Sequence, residues 1–393
     1  MKKLLMITVV LALVSGAAFA QVSGDFFAAS TFIQGNTGKQ ANGDPNDMTM
    51  GGGNAEAKWG IRFGEGAASG RIVYRLHDDS LWGWFAWRPI EQLRIKYGFD
   101  RDGEYGAAQI TGWGFNAGAK DLVAYSDYGG GLYMNESIRS PSWFYGFGDS
   151  EGYSLIVSVF PVDGLRITAG IPQFGMSGGS GGSGATGSAS KIDVQLAKIF
   201  GNVEYKIEDV GTANLAFQGR GGLADGVYAT PGWFFASFFL TALKEQGVGE
   251  FDLGFRMELP WKNASDQDNG GEMRVGLGYR INIEAFQLKV RLGAQLPGGK
   301  AAGVANEDIR FAINVLPQYK LEAFTFYFQA GLGMHMPKTG DSNMAWFINP
   351  YISVPIGGAT FWAGLKVDQQ ASVGTDDQKR INWAVPFGFS ANY

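Results

Sequence analysis

Few residues in this chain are spaced for catalysis. His77 precedes Asp78, Asp79 and Ser80, and an imidazole beside carboxylates is a pair that activates water. No second acidic pair that could complete such a site across from it is visible in the sequence. A charged hairpin tip accounts for the four residues. The other histidine, His335 in GMHMPKTG, lies between methionines with no evident acid–base partner. Nucleophilic acyl transfer needs Ser, His and a carboxylate or amide side chain in one site, and no local motif supports it. DQDNGGE at 266–272 approaches a calcium loop, but its closing position is Leu277 where a bidentate Glu is required. No catalytic residue, metal site or cofactor is therefore assigned, and the chain is read as non-enzymatic.

What the sequence supplies in quantity is charge at one repeating phase. Lys58, Arg62, Arg71, Arg75, Arg94, Lys96, Arg166, Arg256, Arg274, Arg280, Lys289, Arg291, Arg310 and Lys366 all fall on the polar side of segments that alternate apolar with polar residues. A smaller set of acids, Glu56, Asp100, Asp252, Glu258, Glu272 and Asp368, shares that phase. The elements that carry them are strands, because side chains alternate between two faces only at period two. In GGEMRVGLGYRI, Met273, Val275, Leu277, Tyr279 and Ile281 oppose Glu272, Arg274, Gly276, Gly278 and Arg280. AFQLKVRLGAQL and GEFDLGFRMEL keep the same rhythm, as do NAEAKWGIRF, LRIKYGF, LRITAGI, EDIRFAINV and ATFWAGLKV.

Connections between these runs alternate in length. The tight ones are 88–91, 160–164, 282–284, Pro317-Gln318-Tyr319 and 355–358, built from turn-forming residues. The long ones, 35–53, 139–150, 173–189, 260–269, 297–304, 334–343 and 370–380, are rich in Gly, Ser, Asn and Asp. No cysteine is present, so no disulfide braces the fold. Gly at 60 of 393 residues would signal disorder if aromatics were scarce, but they make up 14%, so the chain folds.

Both ends of the chain are diagnostic. MKKLLMITVVLALVSGAAFA joins two lysines to a short apolar run and the step Ala18-Phe19-Ala20, which predicts a secretory signal over 1–20 with cleavage before Gln21. Its removal takes Lys2 and Lys3 and moves the net charge from -5 to -7, which argues against a nucleic-acid partner. The last residues, INWAVPFGFSANY, put Ile381, Trp383, Val385, Phe387, Phe389 and Ala391 on one face before ending on Tyr393. With its alternating apolar residues and aromatic end, this stretch resembles the terminal assembly signal of Gram-negative outer-membrane barrels. Trp383, Val385, Phe387, Phe389 and Tyr393 are the residues that carry it.

The expected fold is all-β, a transmembrane up-and-down antiparallel β-barrel of about 18–20 strands (range about 16–20) formed by residues 21–393 as one domain. Barrels of this width leave an aqueous channel, and a charge on the lipid face costs about 2–4 kcal/mol at midplane, so the polar phase must face inward. Arg94, Lys96, Arg166, Arg256, Arg274, Arg280, Lys289, Arg291, Arg310 and Lys366 are then pore-lining candidates. Arg274, Arg280, Lys289 and Arg291 are expected to share one patch of wall. Trp82, Trp84, Trp87, Trp233, Trp346, Trp383 and Tyr393 are expected to form lipid-interface belts.

The resemblance implies an outer-membrane protein of the porin kind, exported and inserted by the barrel assembly machinery. Its partners would be membrane lipid and small hydrophilic solutes, admitted passively with a weak anion preference. A surface-exposed structural or adhesin barrel and a transporter of hydrophobic compounds are the alternatives. A homo-oligomer is compatible with the class, but one chain displays no interface.

Overall fold

The computed structural model describes residues 23–37, 48–50, 56–64, 66–76, 80–98, 154–172, 199–219, 232–259, 273–296, 309–336, 338, 342–369 and 381–392, with two-residue pieces at 261–262, 268–269, 300–301 and 304–305. The expected signal 1–20, His77, Asp100, the loops 139–150, 173–189 and 370–380, and Tyr393 lie outside the described residues.

One antiparallel sheet of 20 ladder segments closes on itself. Two pairs of segments lie end to end, so the wall has 18 staves. In chain order they are β1 (Ser23–Thr37), β2 (Met48–Met50 with Glu56–Phe63), β3 (Ala68–Arg75), β4 (Ser80–Ile90), β5 (Leu93–Gly98) and β6 (Ser154–Val159). There follow β7 (Leu165–Pro172), β8 (Phe200–Ile207), β9 (Gly211–Gln218), β10 (Trp233–Leu240), β11 (Glu250–Glu258) and β12 (Met273–Ile283). The last are β13 (Phe286–Leu296), β14 (Ile309–Lys320), β15 (Thr325–Met336), β16 (Asn343–Ile356), β17 (Ala359–Gly364 with Lys366–Gln369) and β18 (Ile381–Asn392). Each stave pairs with its neighbours in sequence, and β18 closes the ring on β1 from Asp25↔Asn392 to Thr37↔Ile381. Closure leaves no edge whose backbone groups would stand unpaired in lipid.

The short connections gather at one end with Ser23 and Asn392. Left-handed backbone turns several of them, at Gly164 (φ 78°), Asp209 (φ 57°), Glu284 (φ 52°) and Gly357 (φ 61°). Two expected turns move. The expected turn at Pro317-Gln318-Tyr319 lies within β14, and the chain reverses instead over 321–324, where the Leu321 N–H donates to Phe324 O. Pro317 is tolerated there because the β14–β15 ladder skips from Val315↔Ala330 to Gln318↔Tyr327, so no donor is required of it. The reversal expected at 282–284 sits at Glu284 and Ala285, with Asn282 and Ile283 still paired to Gln287 and Phe286. Strand also extends into two expected loops, taking in Met48–Met50 and His335.

The two faces differ as the alternation requires. Leu155, Val157, Val203, Leu215, Leu253, Leu277, Leu292, Phe311, Phe328 and Leu332 are exposed on the outside. Buried polar residues line the inside, among them Thr168, Asn202, Asn214, Asn314, Gln329, Asn349 and Asn382. Two inward aromatic rings lie flat across a facing strand. A Cβ at position 170 would overlap the Phe200 ring, and one at 388 would overlap the Trp362 indole, so glycine is required at both places.

Candidate functional site: a charged inner wall

Charge is sorted between the two faces without mixing. Among the described residues of the 18 staves, every Asp, Glu, Lys, Arg and His holds an inward ladder position except Arg88, at the turn end of β4. Arg88 stays at that rim, donating through Nε to Glu91 O at 2.9 Å with its guanidinium 5.1 Å from the Phe160 ring centroid. The 14 lysines and arginines of the polar phase, with Lys206 and Lys320, make 16 cations on the inner wall. They meet seven acids: Asp25, Glu56, Glu204, Glu250, Asp252, Glu258 and Asp368. The described staves thus carry +9 at inward ladder positions, in a chain whose total is -5.

Several of these charges are paired, some across strands and Lys366 with Asp368 along its own strand. Arg71 Nη2 is 3.1 Å from Asp25 Oδ2, Arg166 Nη2 is 2.9 Å from Glu204 Oε2, and Lys366 Nζ is 3.1 Å from Asp368 Oδ1. Arg280 Nε donates to Glu250 Oε2, and Lys244 Nζ lies 3.8 Å from Glu250 Oε1. Asn382 Nδ2 donates to Asp368 Oδ2 at 3.1 Å, extending the Lys366 pair onto β18. Lys96 is 2% exposed, and its ammonium sits 4.3 Å from the Trp84 ring centroid.

The ladders give each candidate a height on the wall. Arg94 stands opposite Ser158, and Arg166 opposite Glu204, both close to the short-turn end. Arg280 faces Glu250 on one side and Lys289 on the other, with Arg291 two residues further along β13 opposite Gly278. Arg274 faces Arg256 and Gln295, and Gln295 faces Arg310, which faces His335. The expected single patch of Arg274, Arg280, Lys289 and Arg291 is therefore two. Six residues separate Arg274 from Arg280, about 20 Å along the strand. Arg274 joins a row toward the long-loop end, and the other three sit toward the short-turn end.

Between the two groups runs a row without bulk. Gly254, Gly276, Gly293, Ala312, Gly333 and Ala345 face one another in register across six consecutive staves, β11 to β16. Side chains thus withdraw from the wall where the basic rows approach it from above and below.

The expected tryptophan belts hold in part. Trp87 is exposed on the outside, and Trp346 Nε1 donates to Gln369 Oε1 at 2.6 Å on the outer face. Trp84 instead faces inward, opposite Arg71 and Gly98. Trp82 and Trp233 hold inward ladder positions beside it in phase, opposite Val73 and Gln218. Asp25, Glu204, Glu250 and Lys206 were not among the expected wall residues. The phase of Asp252 carries Glu250 inward, and that of Val203 and Tyr205, both exposed outside, sets Glu204 inward, so parity was able to find them.

A closed 18-stave barrel with an apolar exterior and a charged interior has the architecture of porin-type outer-membrane β-barrels. No family model matches the sequence, and no curated protein is significantly similar to it. Among solved structures the chain is similar to OpdO of Pseudomonas aeruginosa, at 12% identity and a TM-score of 0.55 over 95% of this chain and 97% of that one. It is also similar to the anion-selective porin from Comamonas acidovorans, at 12% identity and 0.52 over 95% and 100%. A third is a BenF-like porin from Pseudomonas fluorescens Pf-5, at 10% identity and 0.52 over 96% and 99%. At these identities the likeness is one of fold.

Proposed function

We propose that the protein is a passive, water-filled channel of the outer membrane that admits small hydrophilic solutes and favours anions. The observation that carries this reading is the net +9 at inward positions of the described staves, in a chain whose total is -5. Fixed charges of one sign in a narrow aqueous space raise the local concentration of the opposite ion and lower that of the like ion. Transit is diffusion down a gradient, and the wall supplies only the field and the width. A transporter of hydrophobic compounds would call for an N-terminal plug, whereas Ser23–Thr37 is itself a stave of the wall. Residues 1–20 are proposed to be removed on export, and the terminal alternation to be read by the barrel assembly machinery. The test is purified protein in a planar bilayer under a salt gradient at about 0.1 M, where the Debye length is about 10 Å. Stepwise current with a reversal potential on the anion side supports the reading. No stepwise current from correctly folded protein, or a cation-side potential, overturns it.

A further inference from the structure

The connection 241–249 between β10 and β11 is the longest described one at the short-turn end, and it is fixed on both faces of the wall. From outside, the Tyr279 hydroxyl donates to Val248 O at 2.7 Å, and the Tyr279 ring sits 4.9 Å from that of Phe251. From the neighbouring turn, Val210 O accepts from the N–H groups of Thr241 and Ala242 at 2.9 and 3.1 Å. Within it, the Val248 and Gly249 N–H groups both donate to Leu243 O. On the inner side Lys244 reaches Glu250, whose other oxygen accepts from Arg280. Glu250 is 2% exposed, while the Lys244 side chain is 58% exposed at the rim. Lys289 stands directly across the ladder from Arg280, and Asp252 follows Glu250 on the same face. Three cations and two carboxylates thus meet at this mouth.

We infer that Glu250 is a selectivity-determining residue of the channel, a buried counter-charge that holds Arg280 and Lys244 together and halves the positive field at the short-turn mouth. This rests on the reading of the lumen as an anion-favouring pore. Neutralising Glu250 takes the local sum from +1 to +2. For an ion passing about 7 Å from the new charge in water, screened at 0.1 M, the anion-to-cation permeability ratio rises roughly two- to threefold. At 1 M the Debye length is about 3 Å and the change nearly vanishes.

The experiment measures reversal potentials in planar bilayers at 0.1 M and 1 M for the full-length wild type, Glu250→Gln, Arg280→Gln and the double variant Glu250→Gln/Arg280→Gln. Heat-modifiable gel migration of each checks the barrel. The expected result is a shift toward anions for Glu250→Gln, a similar shift toward cations for Arg280→Gln, and wild-type behaviour for the double variant, all at low salt only. Should Glu250→Gln fail to assemble, Arg280→Gln and Glu250→Asp decide the matter, since the first must move and the second must not. A double variant that keeps the shift of either single variant overturns the inference. Arg256→Gln/Arg274→Gln tests the parent reading separately. If that pair moves the potential and Glu250→Gln does not, this inference fails alone. If neither moves it, both fail.

Discussion

Leu277 and Gly276 are adjacent in sequence and opposite in environment, so substituting each in turn tests the facing of the wall. Leu277 is the fifth of the 11 residues of β12 and is exposed on the outer face, opposite Leu253 and Leu292. A strand rises about 3.4 Å per residue and, tilted near 45°, climbs about 2.4 Å per residue along the membrane normal. Leu277 therefore lies about 10 Å from the long-loop end and about 14 Å from the turn end of β12, close to the middle of a ~25 Å apolar band. An arginine there is expected to destabilise the barrel by about 2–4 kcal/mol. Gly276→Ser, on the inner face between Gly254 and Gly293, is expected to cost within about 0.5 kcal/mol. The assay is guanidinium unfolding of the barrel refolded in lipid vesicles, followed through its 11 tryptophans, with the midpoint compared at unchanged m. Equal losses for the two variants, or a smaller loss for Leu277→Arg, would refute the assignment of lipid and lumen faces.

Other expectations concern assembly, packing and flow. Deleting Phe387 to Tyr393 should abolish outer-membrane insertion in cell fractionation while Tyr393→Phe inserts normally; a deletion that still inserts shows the signal lies elsewhere. Gly388→Val should cost about 1–3 kcal/mol because the new side chain meets the Trp362 indole, and adding Trp362→Ala should recover part of that loss in the same unfolding assay. No recovery would mean the ring is not what the glycine accommodates. Gly276→Trp with Gly293→Trp, filling the bare row, should lower single-channel conductance at 1 M salt while leaving ion preference at 0.1 M in place; unchanged conductance would show that this wall does not limit flow.

Facing was legible in the sequence because alternation depends only on a residue's own strand. The phase that puts Val275 and Leu277 outward puts Arg274 and Arg280 inward, whatever the neighbouring strands do. Height was not legible, since it depends on the register between strands, and one strand carries no information about that. The expected patch of four therefore divided, and Arg280 proved to hold a carboxylate, Glu250, from the neighbouring strand. Pro317 misled for a related reason: proline removes a donor, which reads as a turn unless the ladder happens to skip that position. Trp84 was misplaced by composition. An aromatic near a strand end suggests a lipid interface, but its phase relative to Leu81 and Phe85, both exposed, already set it inward.

The seam between β1 and β18 also governs when this protein can become a barrel. Twelve register pairs join the two strands, yet Asp25 and Asn392 stand at opposite ends of the described chain. Bringing partners so distant together costs about 5 kcal/mol in loop-closure entropy, before any of the hydrogen bonds of the seam exist to offset it. Every other ladder can form as its hairpin is made, so the first strand made must wait for the last. Throughout that interval β1 presents an open edge, a template for pairing with the wrong chain. The slow step of maturation is then ring closure itself, the moment when the waiting edge finds its partner.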